Sequence, residues 1–75
     1  MIILSMNIRG VGGALKLLAL RRVFETIRPD IILIQETMVS SDRAIDVFSK
    51  VVGNWHMIAV DASGRSGGLL SAWNP

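Results

Sequence analysis

The chain has 75 residues, with 8 Lys and Arg against 6 Asp and Glu, and 51% of its residues are hydrophobic. This length excludes a large self-contained enzyme, since single domains commonly have about 100 to 150 residues. The chain contains no cysteine, which excludes disulfides and thiolate metal sites. Its hydrophobic content excludes intrinsic disorder, and its net charge of +2 does not by itself indicate a nucleic-acid partner.

Neither a membrane span nor a secretory signal is visible. The longest stretches without Asp, Glu, Lys or Arg have 10 residues, at 51–60 and 66–75, whereas a spanning helix needs about 20. No basic segment precedes the first apolar residues, and Arg9 interrupts them early. The sequence therefore favours a nuclear or cytoplasmic location over secretion or a membrane.

The first half of the chain predicts a strand, a helix and a second strand. Residues 1–8 form a nearly continuous apolar run that predicts a strand buried on both faces, followed by a glycine turn at 10–13. From residue 14 to 28, apolar residues recur at spacings of three and four, which predicts an amphipathic helix closed by Pro29. The apolar stripe consists of Leu17, Leu18, Leu20, Val23, Phe24 and Ile27. The apolar run 31–34 then predicts a short central strand.

The second half predicts a shorter helix and two more strands. Ser40, Ser41 and Asp42 have the composition of a helix N-cap, and the helix they begin is predicted to end at 53–54. Its apolar residues are Ala44, Ile45, Val47, Phe48, Val51 and Val52. Residues 55–61 and 68–73 predict strands, with a turn-rich segment at 62–67 between them. The predicted order is β-α-β-α-β-β.

Two helices on one side of such a sheet leave the other face uncovered. The runs 1–4 and 31–34 show no polar alternation that would suit a solvated face. We therefore expect further protein to cover that face, and we interpret residues 1–75 as the N-terminal portion of a larger domain.

Polar residues at the ends of buried strands are the candidates for chemistry. Asn7 lies in the first strand and Glu36 closes the second, with one helix between them. Parallel strands joined by a crossover helix bring their C-terminal ends to one edge, where α/β sites usually form. A carboxylate at that edge can bind Mg²⁺, and a neutral amide can hold a phosphate oxygen. The alternative is that Asn7 caps a turn and Glu36 is simply solvated.

Three segments resemble the start of the endonuclease/exonuclease/phosphatase superfamily. They are Ser5-Met-Asn7-Ile-Arg-Gly10, Arg28-Pro-Asp-Ile-Ile-Leu-Ile-Gln-Glu36-Thr37 and Gly64-Arg-Ser-Gly-Gly68-Leu-Leu-Ser-Ala-Trp-Asn-Pro75. Their order and spacing are most similar to the endonuclease domain of plant LINE-type (non-LTR) retrotransposons.

The resemblance implies the N-terminal portion of a DNase I-like four-layer α/β sandwich. It implies hydrolysis of phosphodiester bonds in DNA with Mg²⁺, or with Mn²⁺ in its place. Glu36 matches the family's metal-ligating glutamate, and Asn7 matches the asparagine that helps hold the metal and phosphate. Gly10 matches the glycine of the tight turn behind Asn7. Gly67 and Gly68 match glycines whose role is structural.

The family's later motifs are missing from the chain. These are an Asp-x-Asn pair, a catalytic tyrosine and a terminal Ser-Asp-His. The sequence has no tyrosine, and its one histidine, His56, lies in a predicted strand. Glu36 alone, without a base to activate water, should have little hydrolytic power. We expect the isolated chain to be inactive, and the substrate of a complete domain stays open among DNA, RNA, a nucleotide and a phosphoinositide.

Two other functions fit parts of the sequence. The order strand, glycine turn, helix, strand and Glu36 follows a dinucleotide-binding βαβ unit, although Leu15 stands where the fingerprint needs its last glycine. Alternatively, the chain is a non-catalytic relic or an interaction fragment, as an uncovered sheet face would suggest.

Overall fold

A computed structural model describes residues 1–63 and 67–75. Its elements are β1 (Ile3–Asn7), α1 (Ala14–Ile27), β2 (Ile31–Gln35), α2 (Ser41–Val52), β3 (His56–Val60) and β4 (Leu69–Trp73). The predicted β-α-β-α-β-β order is confirmed. The helix predicted to reach Arg28 ends one residue earlier, because Arg28 adopts a left-handed conformation with φ 54° before Pro29. Residues 64–66, inside the predicted turn and the third family-like segment, lie outside the described residues.

The four strands form one mixed sheet in the order β1-β2-β4-β3. β1 and β2 are parallel, and their register places Asn7 beside Gln35. β4 is antiparallel to both of its neighbours, β2 and β3. The sheet therefore combines one crossover unit, β1-α1-β2, with an antiparallel pair that adds at the β2 edge.

Both helices pack on the same face of the sheet. The fully or nearly fully buried core residues are Ile8, Val11, Leu20, Phe24, Ile32, Ile34, Ala44, Val47, Phe48, Leu70 and Ala72. Burying these side chains drives the fold, because each large one (Val, Leu, Ile or Phe) contributes about 1.5 to 3 kcal/mol when it leaves water. No helix within residues 1–63 and 67–75 has the length and apolarity needed to cross a membrane.

The buried faces of the helices are narrower than their apolar stripes. In α1, Leu20 and Phe24 are buried, whereas Leu18 and Ile27 are 47% and 39% exposed. In α2, Ile45 is exposed although the predicted stripe includes it. Each helix packs against the core through one side only, so residues at the margins of the stripe remain in water.

The second face of the sheet is open within the described residues. Its exposed apolar side chains are Ile3, Leu33, Ile58, Val60, Leu69 and Trp73. The prediction that β1 is buried on both faces is wrong: its residues alternate, with Ile3, Ser5 and Asn7 exposed. An apolar run is compatible with burial on both faces, but α1 and α2 supply a layer for only one of them.

Candidate functional site

Asn7 and Glu36 lie at one edge of the sheet. Asn7 is the last residue of β1, and Glu36 directly follows β2. Since the parallel register pairs Asn7 with Gln35, Glu36 follows one residue beyond Asn7's partner. The edge is formed by the C-terminal ends of two neighbouring parallel strands, the position where α/β folds commonly bind ligands.

The Asn7 side chain is hydrogen-bonded to the loop that follows β1. The Asn7 Oδ1 atom accepts a hydrogen bond of 3.2 Å from the backbone N–H of Arg9, which closes an Asx turn. Arg9 and Gly10 both have positive φ values, 50° and 100°. The tight turn expected at Gly10 is therefore present.

Backbone hydrogen bonds join this loop to the segment after β2. The N–H groups of Ile8 and Gly10 donate to the carbonyls of Gln35 and Glu36 over 3.1 Å and 2.7 Å. The N–H of Val11 donates to the carbonyl of Thr37 over 3.2 Å. The pairing of β1 with β2 thus continues past both strand ends, so backbone hydrogen bonds link the segments that carry Asn7 and Glu36.

Glu36 itself has an unusual backbone. Its φ of 55° lies in the left-handed region, which costs a residue with a Cβ atom roughly 1 to 2 kcal/mol. Such a conformation persists only where neighbouring structure imposes it, and it often marks a functional position. The side chain is half-buried.

The two glycines before β4 pack directly against Glu36 and Thr37. A Cβ atom at Gly67 would lie 3.0 Å from both Cα and Cγ of Glu36. At Gly68, which has φ 86°, a Cβ atom would collide with Oγ1 of Thr37. Thr37 is fully buried, and its backbone N–H donates to the carbonyl of Gly68 over 3.3 Å. Because neither glycine has a side chain, the segment that leads into β4 can pack directly against Glu36 and Thr37.

Sequence reasoning missed two residues at this edge, Thr37 and Lys16. The Thr37 hydroxyl donates to the carbonyl of Gly67 over 3.5 Å. The Lys16 Nζ atom donates to the carbonyls of Ile8 and Gly10 over 2.8 Å and 3.0 Å. A signal for Lys16 was available, because a cation in the first turn of a helix is disfavoured by the helix dipole and needs another reason to be there.

The side-chain oxygens that the structure describes at this edge are too few to hold a hard cation such as Mg²⁺ by themselves. The Glu36 carboxylate and the Asn7 amide oxygen are ligand types that Mg²⁺ accepts, and Mg²⁺ commonly keeps several waters alongside one or two carboxylates. No group of three or more His, Cys, Asp or Glu side chains able to hold a metal occurs among the described residues. Glu36 and Asn7 would therefore supply only part of a Mg²⁺ coordination sphere, and further ligands would be needed.

His56 lies away from this edge. It is exposed on β3, opposite Trp73, and the two ring centroids are 5.7 Å apart in a tilted arrangement. The register places this pair at the end of the open face remote from Asn7. His56 therefore packs on an aromatic neighbour and does not join Asn7 and Glu36.

The glycine turn differs from a dinucleotide site. Gly12 has φ 55°, and a Cβ atom there would lie 2.8 Å from Cδ of Lys16. The space that a fingerprint glycine leaves for a pyrophosphate is here filled by the chain's own lysine. The antiparallel β4 beside β2 also departs from the parallel sheet of such domains.

Comparison with solved structures finds a similar fold. The crystal structure of an AP endonuclease from Leishmania major matches with a TM-score of 0.66 and 24% sequence identity, covering 96% of this chain and 23% of that one. The sequence matches no protein-family model, and comparison with curated proteins finds no match either. The chain spans about a quarter of the endonuclease it resembles. Its sheet and two helices have the α/β architecture of part of a DNase I-like fold.

Proposed function

We propose that this chain is part of a metal-dependent phosphodiester hydrolase of the endonuclease/exonuclease/phosphatase superfamily. In its complete form the domain would cut DNA, and its motifs are most like those of plant LINE-type retrotransposon endonucleases. The observation that carries the proposal is Glu36, held in a left-handed backbone beside Asn7 at the strand-end edge. The likeness to an AP endonuclease supports it at the level of fold.

The two residues would have different roles. Glu36 would hold Mg²⁺, or Mn²⁺ in its place, and the bound cation supplies charge stabilisation to the phosphoryl oxygens and to the attacking water. Asn7 would orient a phosphate oxygen through its neutral amide, which adds no charge repulsion. A general base is also required, and His56 is too far along the sheet to serve.

The same proposal makes residues 1–75 a portion of a domain. The chain covers 23% of the similar endonuclease, and the open sheet face still exposes residues such as Ile58 and Val60. We expect the chain by itself to leave supercoiled DNA uncut in the presence of Mg²⁺. The exposed face also favours a second candidate function, a non-catalytic interaction fragment.

Metal binding by the chain tests the proposal directly. Mn²⁺ added to the ¹⁵N-labelled chain should broaden the backbone NMR signals around Glu36 and Asn7, because paramagnetic relaxation falls steeply with distance. Glu36→Gln removes the carboxylate charge while keeping the side-chain size, so the selective broadening should disappear and the free energy of unfolding should stay unchanged. Glu25→Gln, at an exposed position in α1, is the matched control and should broaden like the wild type.

Two outcomes would contradict the proposal. Broadening that persists in Glu36→Gln would remove Glu36 from the metal site. Broadening spread over all exposed acidic residues, without preference for this edge, would leave the interaction fragment as the better interpretation.

A further inference from the structure

We propose that Lys16 is a positioning residue that holds the loop after β1, and with it Asn7, beside Glu36. The inference rests on the proposed function of that edge. Lys16 is half-buried, and its Nζ atom bridges two carbonyls of the loop, those of Ile8 and Gly10, over 2.8 Å and 3.0 Å. Hydrogen bonds from a charged donor are among the stronger ones in proteins.

The loop is held from two sides at the same two residues. Ile8 and Gly10 direct their N–H groups to the carbonyls of Gln35 and Glu36. They direct their carbonyls to Lys16. The loop is therefore attached at two places. Its N–H groups bond to the backbone of Gln35 and of Glu36, the candidate metal ligand, and its carbonyls bond to the Lys16 ammonium group.

Gly12 makes room for this contact. Its φ is 55°, and a Cβ atom there would lie 2.8 Å from Cδ and 3.1 Å from Cβ of Lys16. The aliphatic stem of Lys16 therefore lies where a side chain at residue 12 would crowd it. Gly12 in the glycine turn therefore lies directly against Lys16 in the first turn of α1.

The position is a poor one for a lysine on helix grounds alone. The first turn of α1 contains no acidic residue, and its N-cap, Gly13, provides no side-chain hydrogen bond. The exposed N–H groups there carry partial positive charge, which disfavours a nearby cation. The two loop carbonyls offset that cost, so the role of Lys16 lies in the loop and not in the helix.

The experiment compares amide hydrogen exchange in the wild type, Lys16→Met, Lys16→Arg and Lys50→Met. Methionine keeps an unbranched stem but has no donor, whereas arginine keeps the donor. Lys50 pairs with Asp46 on α2 at 3.5 Å and is exposed, so Lys50→Met controls for the loss of a lysine elsewhere. The reporting amides are those of Gly10 and Val11, which bond to Glu36 and Thr37.

We expect the amides of Gly10 and Val11 to exchange about tenfold faster or more in Lys16→Met, because hydrogen bonds to a charged group are lost from the loop. Amides of α2 and β4 should keep their wild-type rates, and Lys16→Arg should restore the loop rates. If Lys16→Met does not fold, Lys16→Gln, whose amide is too short to span both carbonyls, should show the same local increase.

Three results would overturn the inference: unchanged loop rates in Lys16→Met, an equal increase at every amide, or loop rates in Lys16→Arg as fast as in Lys16→Met. The equal increase would assign Lys16 a general structural role. Exchange needs no metal, so it tests Lys16 even if Mn²⁺ fails to bind at Glu36 and the proposed function falls. If Mn²⁺ does bind, Lys16→Met should weaken its effect on Asn7 more than on Glu36.

Discussion

Glu36 and Gly67 pack directly against each other. Glu36 occupies a left-handed backbone conformation that a glutamate does not prefer. Gly67 approaches so closely that any side chain on it would meet the Glu36 backbone. The family resemblance assigned Gly67 a structural role, and the contact gives that role its physical reason.

Gly67→Ala should lower the free energy of unfolding by about 1 to 3 kcal/mol, the usual cost of adding a methyl group where no space exists. The reason is the 3.0 Å separation between the new Cβ atom and both Cα and Cγ of Glu36. Urea unfolding followed by circular dichroism measures the change. Gly13→Ala is the matched control, because nothing lies within 4 Å of its added Cβ atom and its φ of −96° suits alanine.

A loss of stability in Gly13→Ala as large as that in Gly67→Ala would contradict this explanation. It would mean that glycine flexibility in general, and not contact with Glu36, accounts for the effect.

Two side chains, those of Ser40 and Asp61, accept hydrogen bonds from backbone N–H groups in the first turn of α2. The Ser40 hydroxyl accepts a hydrogen bond from the N–H of Arg43 over 3.3 Å, which confirms the predicted N-cap. The carboxylate of Asp61, which follows β3, accepts a hydrogen bond from the N–H of Ser41. That backbone N–H, together with the Ser41 hydroxyl, lowers the pKa of Asp61 from its usual value of 3.8.

The lowered pKa predicts how stability depends on pH. A carboxyl group whose pKa is lower in the folded state stabilises the fold above its unfolded value, and that contribution disappears as the pH falls through the folded value. Asp61→Asn should therefore reduce the loss of stability in acid below about pH 4, where the group titrates. Urea unfolding midpoints at pH 7 and in acid measure the difference.

If Asp61→Asn and the wild type lose equal stability in acid, the hydrogen bond from Ser41 to Asp61 makes no difference to folding.

Sequence patterns predicted the elements well because their signals are local. Apolar spacing identified both helices, and Ser40 and Pro29 marked boundaries through their own backbone chemistry. The insertion of β4 between β2 and β3 was not predicted, since strand pairing joins residues far apart in the chain. The left-handed backbone of Glu36 was not predicted either, and Gly67, which packs against it, lies 31 residues away in the chain.

The sequence predicted which edge of the sheet carries the candidate site but not the contacts within the site. Asn7 and Glu36 were expected at one edge because crossover connections bring parallel strand ends together, and the register has that arrangement. The contribution of Lys16 was not expected, because a single lysine in a helical segment is usually solvated. Its position in the first turn of α1 was the one sequence signal, and the carbonyl positions in the preceding loop give the physical reason for it.

At the scale of the whole molecule, one sheet face carries two helices and the other carries none within the described residues. The open face combines polar groups near Asn7, where the Gln35 side-chain amide donates to the Ser5 hydroxyl over 3.0 Å, with exposed apolar side chains toward β3. Contiguous apolar surface of this kind promotes association.

The 75-residue chain should therefore self-associate as its concentration rises, and Ile58→Lys should reduce that association. Ile58 is 61% exposed in the middle of β3, where a lysine side chain can extend into water without disturbing the core. Sedimentation velocity over a range of concentrations measures the effect. Leu15→Lys, at a residue of α1 that is 84% exposed, tests whether any exposed apolar side chain would act in the same way.

A monomer at all concentrations would contradict the prediction, and so would equal dissociation by Leu15→Lys and Ile58→Lys. The second result would mean that association does not depend specifically on the open sheet face.

The left-handed backbone at Glu36 also sets folding stability against the proposed metal binding at a single residue. Asparagine tolerates this conformation far better than glutamate, so Glu36→Asn should raise the free energy of unfolding, by up to about 1 kcal/mol. The same substitution removes the carboxylate and should abolish selective Mn²⁺ broadening. Folding stability and the proposed metal binding would therefore change in opposite directions at this one residue.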